Sequence, residues 1–172
     1  MKMLRIGLFL VPALCAAGPS AAVEYTIWHS PLLFEPQLGS GLVVEQGSLS
    51  SSIVVSTASP TDDWIQVPLT LPDNVNVKRV QLCYQVSDGA TYVSQIRLSR
   101  MITPDAGSVY LDDATDRNST TPVCETSTTS TLPVDGTYTL LLRLVFADAA
   151  DTIRIGAIGI DVDEIVSSAS LP

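Results

Sequence analysis

The stretch "VKRVQLCYQVSDGATYVSQIRLSR", residues 77–100, decides how the rest of the chain is read. Its first ten residues alternate. Val80, Leu82, Tyr84 and Val86 fall on one side of an extended chain, and Arg79, Gln81, Cys83 and Gln85 on the other. The last part alternates as well, with Ile96 and Leu98 opposed to Arg97 and Ser99. A side-chain period of two marks a strand with one buried and one wetted face, whereas a helix repeats every 3.6 residues. Between the two runs stands Asp88-Gly89, a step that favours the positive-φ turns of two-residue hairpins. The two runs are therefore expected to be antiparallel neighbours.

The same period continues outward. "GTYTLLLRLVF" (136–146) sets Tyr138, Leu140, Leu142, Leu144 and Phe146 inward, and Leu141 and Val145 mark a partly covered outer face. In "DTIRIGAIGIDVDE" (151–164) the phase changes, because Ile153 and Ile155 are odd-numbered while Ile158, Ile160 and Val162 are even. One extra residue near Gly156-Ala157, a β-bulge, restores a common face. Shorter candidates lie at 24–29, 41–46, 52–57, 63–71 and 108–111. Pro68 assigns the run 63–71 to an edge or a bulged strand, since proline cannot donate to a ladder. Eight or nine short strands without a helical pattern predict an all-β fold, an antiparallel β-sandwich of jelly-roll or immunoglobulin-like type.

The N-terminus, "MKMLRIGLFLVPALCAAGPSAAVEYT", combines a basic start, an apolar run from Ile6 to Ala17 and a small-x-small site at Ser20-Ala21-Ala22. That is the pattern of a secretory signal peptide, expected over residues 1–22, which leaves 23–172 as a single domain. The apolar run is about a dozen residues where a span takes about 20, so no membrane span is expected in the mature chain. The location implied is secreted or periplasmic. Lys2 and Arg5 leave with the signal, so a net charge of −9 becomes more negative still. Such a surface repels nucleic acid and anionic lipid.

In an oxidising compartment the two remaining cysteines, Cys83 and Cys124, are expected to pair. The bond would tether the polar stretch "LDDATDRNSTTPVCET" (111–126). With Cys83 on the polar side of its strand, residues 112–133 would be drawn over the outside of a sheet as a long surface loop.

The segment "WIQVPLTLPDNVNVKRVQLCYQV" (64–86) resembles a pattern of uncharacterised secreted bacterial proteins, in which an aromatic residue leads to Pro-x-x-Leu-Pro and then to an alternating strand. "SPLLFEP" (30–36), "YTLLLRLVF" and "IRIGAIGIDV" fit the same outline, whereas Asp73-Asn74-Val75 stands where Gly-Ala is usual. The resemblance implies a secreted β-sandwich. It carries no activity and no site residues.

Catalytic groups are sparse. His29 is the single histidine, so any Ser-His-Asp arrangement would depend on it, and no Gly-x-Ser-x-Gly elbow occurs. A paired-carboxylate glycosidase normally surrounds its sugar with aromatics, and here only Trp28 and Trp64 are tryptophan, both beside apolar strand positions. The expectation is a non-enzyme that needs no cofactor. Calcium is the one metal the composition suits, because hard cations take oxygen ligands. Its candidate ligands are Asp112, Asp113 and Asp116, with Asp161 and Asp163 in "DVDE" as a second place. Neither place matches the Asp-x-Asp-x-Asp-Gly calcium loop. Asn118-Ser119-Thr120 is read as a polar turn.

Two functions remain. The first is a non-catalytic surface-interaction or assembly module with a protein or cell-surface partner; its run 23–34 could join a neighbour's sheet edge, but pairing within its own sandwich is the stronger expectation. The second is a carbohydrate-binding module, with Tyr92 and Tyr110 as platform candidates against a reading of Tyr84, Tyr92 and Tyr138 as packing. Oligomeric state is left open by the sequence.

Overall fold

The computed structural model describes residues 23–48, 51–103, 106–134 and 136–165, so the expected signal peptide lies outside the described residues. The described residues form twelve strands: β1 (Glu24–His29), β2 (Glu35–Pro36), β3 (Leu42–Gln46), β4 (Ile53–Thr57), β5 (Thr61–Leu69), β6 (Val75–Val86), β7 (Tyr92–Thr103), β8 (Ala106–Asp113), β9 (Val123–Thr126), β10 (Leu132–Pro133), β11 (Tyr138–Phe146) and β12 (Thr152–Glu164). These make a two-sheet antiparallel sandwich of jelly-roll type. The nine strands expected from alternation are present, and β2, β9 and β10 add three short ones.

Sheet A has seven strands around the β6–β12 pair, and sheet B has five in the order β2-β5-β11-β7-β8. The central strands carry the core. Tyr138, Leu140, Leu142 and Leu144 of β11 are fully buried, as are Val80 and Leu82 of β6 and Ile153, Ile155, Ile158 and Ile160 of β12. Each fully buried aliphatic side chain contributes roughly 1.5–3 kcal/mol, which fixes the phase of every long strand.

The hairpin expected at Asp88-Gly89 does not form. β6 belongs to sheet A and β7 to sheet B, so residues 87–91 carry the chain across the core as an arch. A type I′ turn needs positive φ at both central residues. Neither Asp88 nor Gly89 has it, since Asn74 and Gly39 are the described residues with positive φ. Asp88 instead accepts the Ala90 N–H on Oδ1 at 2.8 Å and the Thr91 N–H on its carbonyl at 3.1 Å.

A second arch, 147–151, repeats that geometry. Asp148 accepts from Ala150 N–H at 3.0 Å and from Asp151 N–H at 3.2 Å. The Thr91 hydroxyl donates to Asp151 Oδ2 at 2.6 Å and binds the arches to each other. As arches, β6–β7 and β11–β12 turn their apolar faces toward each other. A hairpin would have aimed both faces the same way.

The bulge in β12 falls where the phase change placed it. Ile155 pairs with Tyr84 and Ile158 with Leu82, so three steps on β12 match two on β6. Pro68 lies opposite Thr139 of β11, and β2 reaches only Ile65 and Gln66 on the other side. Pro68 thus sits on open edge, and its missing N–H costs no ladder bond. Asn74, with φ 66°, takes the turn where the resembling pattern has glycine; asparagine tolerates this region better than most residues. The run 23–34 pairs inside its own sandwich, through β1 on β12.

Candidate functional site: a groove over sheet A

β12 holds two different strands on one side. Its first part pairs with β4 as far as Ile155↔Ile53, and its second part pairs with β1 from Ile158↔His29. The bulge Gly156-Ala157 lies in the seam between them. A groove of about 720 Å³ opens there on the outer face of sheet A.

The Cys83–Cys124 disulfide, formed as the sequence predicts, lines the groove together with Gly156 and Ala157. Cys83 and Cys124 stand directly opposite on β6 and β9. The stretch 112–133 is therefore no loop folded over a sheet face. Its β9 extends the edge of sheet A, because residues 123–126 meet the free ladder groups of β6.

Trp28 lines the groove and is 55 % exposed, unusual for so large an apolar ring. It lies across from Gly159, where an added Cβ would come within 2.7 Å of Thr26 Cγ2 and 3.2 Å of Trp28 Cζ3. Glycine is what lets the indole settle across β12, an arrangement in which the aromatic covers the bare backbone. The alternation that sends Ile27 inward sends Trp28 outward. That signal was present in "EYTIWH", and the adjacent apolar residues masked it.

Further along the strands stand Gln85 and Arg154, a cross-strand pair lining the same groove. Gln85 donates its amide to Thr120 O at 3.0 Å, which orients the group and leaves its carbonyl oxygen available. Arg154 is exposed and lies outward for the reason that Ile153 and Ile155 lie inward. His29 lines the groove with its Nε2 buried and, among the described residues, without a hydrogen-bond partner. Burial pushes its pKa down, so the imidazole is neutral at neutral pH. Among the described residues no carboxylate hydrogen-bonds it, so the orienting member of a triad is missing.

The calcium candidates are engaged separately. Asp112 takes Arg97 Nε at 3.2 Å on the outer face of sheet B and also accepts from the Gln95 amide. Asp113 points the other way, is 3 % exposed and meets Arg117 at 2.7 Å, with Arg117 itself 2 % exposed. Asp116 is exposed. Asp161 accepts from Thr26 Oγ1 and Arg79 Nε, and Asp163 pairs with Lys78. Among the described residues no group of three His, Cys, Asp or Glu side chains converges as a metal would require.

Burial pushes the Asp113 pKa up, but hydrogen bonds from Thr115, Arg117 and the Thr128 N–H outweigh it and hold the value at about 2. Arg117 also donates to Thr126 O of β9, so this buried pair ties sheet B to the edge of sheet A. Nothing in the alternation pattern distinguishes Arg117 from an exposed loop residue.

Of the tyrosine platform candidates, Tyr110 is half-buried against Tyr138 in an edge-to-face pair at 5.7 Å, its hydroxyl accepting from Arg100. Tyr84 is buried, and Tyr92 is half-buried on β7. None of them reaches the groove as an open ring.

An exposed aromatic thus stands over a sheet-face groove with polar groups beside it. No family model matches the sequence, and no curated protein matches it. Solved structures do resemble the fold. A carbohydrate-binding module CBM36 in complex with calcium and xylotriose has a TM-score of 0.47 at 9% identity, covering 79% of this chain and 98% of that one. The CBM36-1 domain of a multidomain xylanase from the hindgut metagenome of Trinervitermes trinervoides gives 0.49 at 9% identity, over 80% and 96%. TmCBM61 in complex with β-1,4-galactotriose gives 0.46 at 11% identity, over 77% and 86%. At these values the likeness is one of strand arrangement and reaches no residue of the groove.

Proposed function

We propose that the protein is an exported, non-catalytic binding module that holds a glycan in the groove over sheet A. The observation carrying this reading is the Trp28 ring, 55 % exposed and seated over Gly159 at the groove. A sugar ring is apolar on its C–H faces and polar at its rim, so it stacks on an open indole while its hydroxyls reach hydrogen-bonding groups. Here those groups are the Gln85 carbonyl and Arg154. A glycan array with wild type and Trp28→Ala tests the reading. Truncating a central tryptophan costs about 2 kcal/mol or more, roughly a thirtyfold loss in affinity. Unchanged binding in Trp28→Ala removes the groove as the site.

A protein partner is the second reading, favoured by Leu32 and Leu33 beside the groove residue Pro31, at 44 % and 65 % exposed. Here the array stays blank while Leu33→Ser abolishes capture of a cell-surface protein.

A further inference from the structure

The whole chain is acidic, with 18 Asp and Glu against 9 Lys and Arg, yet among the described residues no Asp or Glu lines the groove. Its one formal charge is Arg154. The other cations of the sandwich are all engaged: Lys78 with Asp163, Arg79 with Asp161, Arg97 with Asp112, Arg117 with Asp113 and Arg143 with Asp62. Arg100 donates to Tyr110. Among the described lysines and arginines, Arg154 alone has a side chain that makes no ion pair, hydrogen bond or ring contact. In a molecule where acids outnumber bases two to one, leaving one guanidinium unpaired beside a groove that carries no acid creates a local field opposite to that of the whole surface.

Resting on the glycan reading above, we propose that the groove selects an acidic glycan, one whose sugar carries a carboxylate paired with Arg154. A guanidinium fork matches a carboxylate with two parallel N–H···O bonds, a recognition stronger and more directional than a hydroxyl gives. The spacing adds a length requirement. Trp28 lies in the row of Gly159 and Gln81, and Arg154 in the row of Gln85. Those rows are four residues apart on β6, about 13 Å at the usual strand rise. The two side chains rise from rows more than one sugar ring apart, a span that suits an oligosaccharide with its acid away from the stacked ring.

Isothermal titration of the full chain with oligogalacturonate, oligomannuronate and oligoglucuronate, each beside its own methyl ester, tests this directly. A sulfated neutral oligosaccharide forms a further arm. The expected result is at least tenfold tighter binding of one free acid than of its ester, with the difference abolished in Arg154→Gln and shrinking as salt rises. Arg154 is exposed, so the variant keeps the wild-type melting temperature, and Trp28→Ala weakens acid and ester alike. Equal binding of acid and ester, or an equal effect of Arg154→Gln on both, overturns the acidic ligand and leaves the glycan groove standing. Preference for the sulfate ester overturns the carboxylate. If neither these probes nor a neutral glycan panel binds wild type, both the groove reading and this inference fall.

Discussion

Each sheet turns a tryptophan and arginines to the solvent, and the two faces use them in opposite ways. On sheet B, Trp64 has Arg97 at 4.8 Å and Arg143 at 5.9 Å from its centroid. Each guanidinium is neutralised in turn, Arg97 by Asp112 and Arg143 by Asp62. The ladder is closed: every charge has its counter-charge and the ring is half-buried. On sheet A, Trp28 lies over Gly159, and although Arg79 is paired with Asp161, Arg154 has no partner among the described residues. Saturated groups hold a face together and leave little for a ligand, whereas unsatisfied groups contribute little to folding and remain free to bind.

The largest effects are expected where satisfied charges are buried, beneath both faces. Asp113→Ala would leave the buried Arg117 with only the more distant Glu125 carboxylate, at 3.9 Å, destabilising the fold by about 3 kcal/mol in denaturant unfolding. An apolar pair at both positions should recover much of that loss. The same carboxylate sets an acid limb. Its folded pKa of about 2 lies below the ordinary aspartate value of 3.8, so its stabilisation is complete above the unfolded pKa and is lost as pH falls through the folded one. Unfolding followed from pH 5 to pH 2 should lose this contribution in wild type and show a flatter limb in the variant.

Next comes the disulfide at the groove, which closes a separation of 41 residues. On the chain-entropy model its removal costs about 4 kcal/mol. Cys83→Ala with Cys124→Ala should therefore lower the unfolding midpoint and release β9 first, seen as faster amide exchange at 123–126.

The comparison between faces breaks or stands on two tryptophans. Trp64→Ala should cost about 1–2 kcal/mol of stability and leave ligand binding unchanged. Trp28→Ala should do the reverse, with stability altered by under about 1 kcal/mol. Matching effects of the two substitutions on both measurements would erase the distinction. Gly159→Ala is a finer probe, because its Cβ cannot fit without moving Thr26 or Trp28. It should weaken binding by a smaller factor than Trp28→Ala while Trp28 remains present.

Alternation alone placed every long strand, the inward face of β11 and the bulge of β12, because burial enforces a period of two wherever a sheet has one dry side. It misplaced the partner of β6, since a hairpin and an arch contain the same two strands and differ only in backbone angles over 87–91. The spacing of Asp88 and Asp148 before their Ala-Thr and Ala-Asp steps is the residual signal, as "SDGAT" and "ADAAD" are variants of one turn. The groove was legible in part. Trp28, Gln85 and Arg154 each follow from strand phase, but their convergence depends on β1 and β4 sharing one flank of β12, a long-range pairing that no local pattern encodes. Arg117 was invisible, because its burial is decided by Asp113 and by β9 together.

The smallest expected effect concerns calcium. Asp112, Asp113 and Asp116 are near neighbours in sequence, but β8 sends Asp112 and Asp113 to opposite faces, as strand geometry must. Both oxygens of Asp113 already accept N–H donors, from Thr115 at 3.0 Å and from Thr128 at 2.8 Å, besides Arg117. A calcium ion needs six or more oxygens around one point, and to gain Asp113 it would have to displace a buried guanidinium. Millimolar calcium should accordingly leave the melting temperature unchanged at fixed ionic strength. A shift that saturates, and that Asp116→Asn abolishes, would show that this loop rearranges around the ion at the expense of the Asp113–Arg117 pair.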